Sequence, residues 1–200
     1  MLSSCSSKTE TTASGFDSSE KANTTAATSN DMAAVKPTIP PEINTDSLTA
    51  KEIGEMILDG RLQPSDNKFT HQMIDSLNAG DQQSRGFYFK VFNKIMDHAD
   101  GALSESIGDY AFTYVEQNPK EFISNINALG EERFETWATQ IGLELFLSTN
   151  EAKEGYNHFA ESILRNCKGC SPVTISRLKR FNKLVWQTIQ ANVNDEKSKL

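Results

Sequence analysis

The residues best suited by type and spacing to carry chemistry are the two cysteines of the segment CKGC, Cys167 and Cys170. This spacing can supply two thiolates to a zinc ion, but a tetrahedral site needs four ligands, and the sequence offers no second pair. A thioredoxin-type dithiol needs a βαβ pattern around it, whereas the flanking sequence has a helical pattern. We therefore predict a disulfide that closes the turn between two helices. A redox pair, a shared metal site and free thiols remain alternatives.

Other clusters of chemically active side chains are weaker. Three histidines, His71, His98 and His158, are far apart in the sequence, and Asp97 and Asp100 flank one of them in the segment DHAD. That segment could hold a divalent ion, although it does not match the alternating acids of a calcium loop. No phosphate-binding glycine loop, HExxH or GxSxG segment occurs. We predict that the protein is not an enzyme and that it has no catalytic site, metal site or cofactor.

Basic residues are concentrated near the C-terminus. Residues 46–166 contain ten basic and twenty acidic residues, whereas residues 167–200 contain seven basic and two acidic residues. The segment ISRLKRFNKLVW predicts a basic amphipathic helix. Its basic face is either solvated, while the apolar stripe docks on the core, or it contacts anionic lipid or an acidic partner. The chain as a whole has a net charge of −7, so we predict no nucleic-acid partner. The residues of this candidate surface are Arg177, Lys179, Arg180 and Lys183.

Aromatic residues are dense in two consecutive predicted helices. They face several directions, so the core does not have to accommodate all of them. The surplus could line a groove for an apolar ligand or a partner helix. The simpler interpretation places all of them in the core. The residues concerned are Phe87, Tyr88, Phe89, Phe92, Tyr110, Phe112 and Tyr114.

These side chains are positioned by helices. From Leu48 onward apolar residues recur at intervals of three and four, which predicts an all-α domain of about eight antiparallel or orthogonally packed helices. An irregular bundle and a HEAT-like stack of helix pairs both remain open. The predicted helices cover 49–59, 66–78, 84–98, 101–117 and 119–128, and three more begin near 131, after Ser148 and near 172. Three glycines inside the predicted helices are either required at close helix crossings or tolerated without such a role, namely Gly108, Gly142 and Gly155.

Two helix starts carry the spacing of a capping box, in which a polar cap and an acid three residues later bond to each other's backbone. Asn118 and Glu121 have this spacing, and Pro119 between them suits the first helical position. Ser148 and Glu151 repeat the spacing before the seventh helix. We therefore expect these side chains to cap the helices that follow them.

The N-terminal part of the chain has a different composition. Residues 3–45 contain sixteen serine or threonine residues and one aromatic residue, Phe16, so they have little apolar surface to offset the entropy cost of folding. We predict a disordered tail, which the prolines at 37, 40 and 41 stiffen towards its end. The sequence contains no run of eighteen apolar residues.

Near the start of the chain, Leu2, Ser3 and Ser4 precede Cys5. This order resembles the lipobox of bacterial lipoproteins, in which an aliphatic residue three positions before the cysteine and small residues directly before it are recognised by the lipid-modifying machinery. The resemblance implies that Cys5 is lipidated and becomes the first residue of the mature protein. It also implies a basic region and an apolar region of a signal peptide ahead of Leu2.

The sequence thus predicts four segments: a lipobox-like signal-peptide remnant (1–5), a disordered linker (6–45), an all-helical domain (46–193) and a polar C-terminal tail (194–200). The predicted function is a non-catalytic envelope lipoprotein, anchored on the periplasmic or outer-membrane side, whose domain binds a protein partner or an apolar ligand. One alternative is a cytoplasmic helical interaction module. The other is a redox or metal-dependent protein that uses Cys167 and Cys170.

Overall fold

Short connections join the successive helices of the domain in a computed structural model, which describes residues 47–99, 101–148 and 151–199. Regular structure in those ranges is α-helical throughout, which confirms the prediction of an all-α domain. The eight helices of the described residues are α1 (Ala50–Leu58), α2 (Lys68–Asn78), α3 (Gln82–Met96), α4 (Gly101–Gln117), α5 (Pro119–Asn127), α6 (Glu131–Ser148), α7 (Ala152–Asn166) and α8 (Pro172–Ser198).

Side-chain caps define several of the helix starts. In α1, Thr49 Oγ1 accepts a hydrogen bond from the Glu52 amide at 3.3 Å, and Glu52 Oε2 accepts one from the Thr49 amide at 2.8 Å. This capping box satisfies backbone donors that have no acceptor within the helix. The helices α2, α3 and α8 have single side-chain caps, provided by Asn67, Asp81 and Ser171.

The capping box predicted at α5 is wrong. Pro119 does occupy the first helical position, but the Asn118 side chain makes no capping hydrogen bond. The Glu121 carboxylate instead accepts a hydrogen bond of 2.9 Å from Arg85 of α3. The Asn118 amide, which a capping box would pair with Glu121, donates to the carbonyl of Tyr114 at 2.9 Å, so the carboxylate is left to pair with the other helix.

The predicted cap of α7 is also wrong. Ser148 is the last residue of α6, and its hydroxyl donates to the carbonyl of Glu144 at 2.7 Å. Helix α7 begins at Ala152, after Glu151, which makes no side-chain capping bond. The sixth helix therefore includes the serine that the spacing had assigned to the start of the seventh.

Helix α6 lies in the middle of the domain, because it packs against α4, α5, α7 and α8. Its Trp137 is fully buried within a first group of aromatic rings. A second group, formed by Phe122, Phe134 and Phe181, extends the core to α8. Both groups belong to one hydrophobic core. The rings that surround Trp137 are Phe89, Phe92, Tyr114 and Phe122.

The helix contacts bear on the choice between the two predicted arrangements. Helices two apart in the chain pack together, as α1 does with α3 and α6 does with α8. Helices three apart also pack together, in the pairs α4–α7 and α5–α8. In a stack of four consecutive helix pairs, the α5–α8 contact and the contacts between helices two apart all join neighbouring pairs. The α4–α7 contact joins the second pair to the fourth, which a simple stack does not require, so this contact favours the irregular bundle.

Glycines allow three of the helix contacts to be close. A Cβ at Gly142 would lie 2.6 Å from the Cβ of Thr188 and 2.9 Å from the carbonyl oxygen of Val185 on α8. A Cβ at Gly108 would lie 2.8 Å from the Cβ of Glu144 on α6. Gly108 and Gly142 thus lie at close helix crossings, as predicted, whereas the same expectation for Gly155 stays a prediction. A third glycine, Gly54 of α1, was not predicted, and the Phe87 ring occupies its Cβ position at 2.7 Å.

The last helix is longer than the sequence predicts. Helix α8 ends at Ser198, so residues 194–198 of the predicted polar tail continue the helix, with exposed side chains. Among the described residues, no helix combines the length and the apolar character needed to cross a bilayer. The predicted linker of residues 6–45 and the anchor residue Cys5 lie outside the described residues.

Candidate functional site

Cys167 and Cys170 lie at disulfide distance, with 5.6 Å between their Cα atoms. Cys167 directly follows α7 and is buried, and Gly169 has a φ of +67°, which glycine adopts without strain. The amide of Cys170 donates to the carbonyl of Cys167 at 3.3 Å, and Ser171 then caps α8. The pair therefore closes the turn between α7 and α8, as predicted. No cluster of three or more potential metal ligands occurs in the part of the chain that the structure describes.

The predicted basic surface of α8 consists of two unequal parts. Arg177 and Arg180 point towards α6, where their Nη2 atoms lie 2.7 and 2.5 Å from the carboxylate of Glu131. The Arg177 guanidinium also lies 3.9 Å from the centre of the Phe134 ring. Hydrogen bonds from Arg180 and Arg177 hold the pKa of Glu131 below its usual value. Arg177 thus packs on the core, whereas Arg180 joins α8 to α6 through an ion pair at the surface.

Lys179 and Lys183, the other two residues of the predicted surface, are exposed, and no acidic group among the described residues pairs with them. They are spaced one helical turn apart on the outer face of α8. Any contact of this helix with lipid or with an acidic partner would therefore depend first on these two lysines.

The segment DHAD does not assemble a cation site among the described residues. The Asp97 carboxylate forms an ion pair with Arg133 of α6, and His98 is exposed. Asp100 lies outside the described residues. The other two histidines each lie near one carboxylate, His71 near Asp66 and His158 near Glu116.

Most of the dense aromatic residues belong to the core. Phe89, Phe92 and Tyr114 surround Trp137, and Phe112 packs on Phe159 at 5.0 Å between ring centres. The Tyr110 hydroxyl reaches the surface, where it donates to Asp75 at 2.5 Å. Phe87 and Tyr88 are half-buried, as Tyr110 and Phe112 are, and all four pack against the core with part of the side chain exposed.

Phe87 and Tyr88 line an open groove of about 640 Å³ between α1, α3 and α5, which we call the aromatic groove. Their rings meet edge to face, with 5.1 Å between the ring centres. Two lysines, three uncharged polar residues and a glycine complete the lining, namely Lys51, Lys90, Gln83, Ser84, Asn125 and Gly86. The arrangement offers apolar contact beside positive charge.

A hydrogen-bonded network fixes the wall of the aromatic groove. The Asn125 side chain donates to the Tyr114 hydroxyl at 3.1 Å, and that hydroxyl donates to Glu121 at 3.0 Å. Arg85 completes the network through its ion pair with Glu121, in which both side chains are at most one-fifth exposed. Burial and the charge of Glu121 raise the pKa of Tyr114. Nothing local in the sequence could have indicated this network, since Arg85 and Glu121 are distant in the chain.

A second groove, of about 500 Å³, lies between α4 and α6, and we call it the acidic groove. Leu147, which is 73% exposed, and Glu144 line it above Gly108. Burial, together with the negative charge of Asp109, raises the pKa of Glu144. No described basic side chain forms an ion pair with this carboxylate.

Comparison of the chain with protein-family models, with curated proteins and with solved structures gives no significant match.

Proposed function

We propose that the chain is a non-catalytic lipoprotein of the bacterial cell envelope, held at a membrane by a lipid on Cys5, and that its helical domain binds a protein partner or an apolar ligand. In this proposal residues 6–45 connect the anchor to the domain. Their serine- and threonine-rich composition supports that role, because so few apolar residues provide little surface to offset the entropy cost of folding.

The usage of the cysteines is the observation that carries the proposal. The chain contains three cysteines, and the pairing of Cys167 with Cys170 leaves Cys5 as the remaining one. Disulfides persist in exported proteins and are rare in the cytosol. Cys5 in turn follows Leu2, Ser3 and Ser4, the order that resembles a lipobox. Export explains the disulfide and lipid modification explains Cys5, so the proposal accounts for all three cysteines.

The aromatic groove supports the binding role. It exposes part of Phe87 and part of Tyr88 side by side. Adjacent apolar rings at an open, polar-rimmed surface offer contact area to a partner or an apolar ligand. The described residues include no group of three or more metal ligands that would favour the metal-dependent alternative.

Metabolic labelling tests the anchor. The gene, with its own upstream sequence, is expressed in a bacterium in the presence of radiolabelled palmitate, beside the variant Cys5→Ser. We expect label and membrane association in the parent and neither in the variant. A parent protein that incorporates no label, or label that survives Cys5→Ser, would refute the anchor. Alkylation of free thiols in intact cells adds a second measurement, because reduced Cys167 and Cys170 would favour the cytoplasmic interaction module.

A further inference from the structure

Gly86 is a glycine that the packing of the described residues does not require. It lies inside α3, and a Cβ added there would meet no neighbouring side chain or helix within 4 Å. Gly54, Gly108 and Gly142 differ, because each faces an atom of another helix at less than 3 Å. Glycine within a helix weakens it relative to alanine. The fold therefore does not explain why α3 has a glycine at this position.

The position of Gly86 suggests a role in binding. It lines the aromatic groove together with Phe87 and Tyr88. A lining residue without a Cβ lets the backbone of another molecule approach α3 closely. Flanking rings then provide apolar surface on which side chains of that molecule can pack. This is the geometry of a groove that receives a helix.

The charges at the aromatic groove define the partner further. Lys90 is exposed, and no acidic group among the described residues pairs with it. Lys51 has only a distant pairing with Glu55, at 4.0 Å, and both of these side chains are at least half exposed. These lysines lie in a part of the chain, residues 46–166, where acidic residues outnumber basic ones by two to one. Positive charge beside aromatic rings complements an acidic segment and disfavours a basic one.

We propose that the aromatic groove binds an acidic amphipathic helix of a partner protein, with the closest backbone contact at Gly86. The apolar face of that helix packs on Phe87 and Tyr88, and its acidic residues pair with Lys51 and Lys90. Asn125, held by the Tyr114 hydroxyl, presents a fixed amide to the bound segment. This inference rests on the partner-binding part of the proposed function and is independent of the lipid anchor.

Selection from a random peptide library tests the proposal. The full chain is used as bait for displayed peptides of about 18 residues, a length that allows helix formation. We expect enriched peptides to carry net negative charge and apolar residues at helical spacing. Their affinity should fall about tenfold or more for Gly86→Leu, whose side chain occupies the open space beside α3, and for Lys90→Glu, which reverses the charge.

Two further variants control for folding and for nonspecific effects. Gly101→Leu places the same side chain at another exposed helical glycine with no neighbour within 4 Å, and it should leave the affinity unchanged. Gly86→Ala adds one methyl group and favours helix, so a reduced affinity with an intact or raised melting temperature excludes loss of folding as the cause.

Several results would overturn the proposal. The proposal is wrong if the enriched peptides are neutral or basic, or if they bind Gly86→Leu as tightly as the parent. It is also wrong if the selection enriches no peptide. The anionic dye 1-anilinonaphthalene-8-sulfonate serves as the small-ligand probe. If the dye binds in a way that depends on Gly86 and no peptide is enriched, the ligand of the groove is a small aromatic anion and not a partner helix. Peptides that bind elsewhere on the domain would refute this site and leave the proposed binding role intact.

Discussion

The indole nitrogen of Trp137 donates a hydrogen bond of 2.9 Å to Oδ1 of Asn93, and both side chains are buried. The Asn93 amide nitrogen donates in turn to the carbonyl of Phe89 at 2.7 Å, which fixes the orientation of the amide group. The bond joins α3 to α6 within the ring of aromatic side chains. It adds a directional contact to the apolar packing at this point, because a hydrogen bond restricts the relative position of the two helices.

Asn93→Leu should lower the free energy of unfolding by about 1–3 kcal/mol, because it leaves the buried indole N–H of Trp137 without an acceptor. Urea denaturation followed by far-ultraviolet circular dichroism measures the change. In the double variant Asn93→Leu, Trp137→Phe neither partner is left unpaired, so its loss should be smaller than the sum of the two single losses. Additive losses would show that the hydrogen bond does not couple the two residues.

The helices themselves were predictable from the sequence, because their apolar period and breaking residues are local. The observed third helix, Gln82–Met96, begins and ends two residues earlier than the predicted helix, 84–98. Its start is earlier because Asp81 caps the helix before the apolar pattern begins. The caps at Asn118 and Ser148 were wrong for a different reason. Glu121 binds an arginine on another helix, and Ser148 bonds within its own helix, so spacing alone could not decide between these partners.

The candidate site was predictable only in part. The sequence indicated the Cys167–Cys170 pair and the surplus of aromatic residues, because both depend on residue type and spacing. It could not indicate that Arg177 is bound to the core, since Glu131 and Phe134 lie on a different helix. Nor could it single out Gly86, because the role proposed for this glycine depends on the open space beside it in the folded domain.

Gly142→Ala and Gly86→Ala should have opposite effects on stability. At Gly142 the added methyl group would meet the carbonyl oxygen of Val185 at 2.9 Å, so α6 and α8 must move apart, and we expect a loss of about 1–3 kcal/mol. At Gly86 the methyl group meets nothing, and we expect a gain of about 0.5–1 kcal/mol from helix propensity. Urea denaturation of both variants gives the comparison. A destabilising Gly86→Ala would mean that the fold does require this glycine.

Arg177→Ala and Lys179→Ala separate the two parts of the basic helix. Removing Arg177 abolishes the contact with the Phe134 ring, 3.9 Å away, and should cost about 1 kcal/mol. Lys179 is exposed and unpaired among the described residues, so its removal should change stability by less than about 0.5 kcal/mol. Thermal and urea denaturation measure both. Equal effects of the two substitutions would contradict a structural role for Arg177.

Reduction of the Cys167–Cys170 disulfide should lower the free energy of unfolding by about 2 kcal/mol, because the bond closes a very short loop and removes little entropy from the unfolded chain. The helical signal should persist, since Ser171 caps α8 independently of the bond. Urea denaturation with and without dithiothreitol measures the loss. The double variant Cys167→Ala, Cys170→Ala should show no further response to the reductant. Loss of helical structure on reduction would mean that the disulfide organises the α7–α8 turn.

Glu144→Gln should stabilise the domain at neutral pH and have little effect in acid. Burial raises the pKa of Glu144 in the folded state, so the folded protein holds this proton more tightly than the unfolded chain does. The resulting stabilisation is fully present below the usual glutamate pKa of 4.5 and is lost as the pH rises through the raised value. Glutamine keeps the side chain neutral throughout. The difference in melting temperature between variant and parent should therefore grow as the pH is raised from 4 to 8.

Glu105→Gln is the matched control for this prediction, because it removes one negative charge from an exposed position on the same acidic groove. The increase in melting temperature at neutral pH should be larger for Glu144→Gln, since only that carboxylate is half-buried across Gly108 beside Asp109. Equal increases would attribute the effect to the net charge of the domain. A lower melting temperature for Glu144→Gln at pH 8 would mean that the ionised carboxylate has a stabilising partner, because only a favourable interaction offsets the cost of burying the charge.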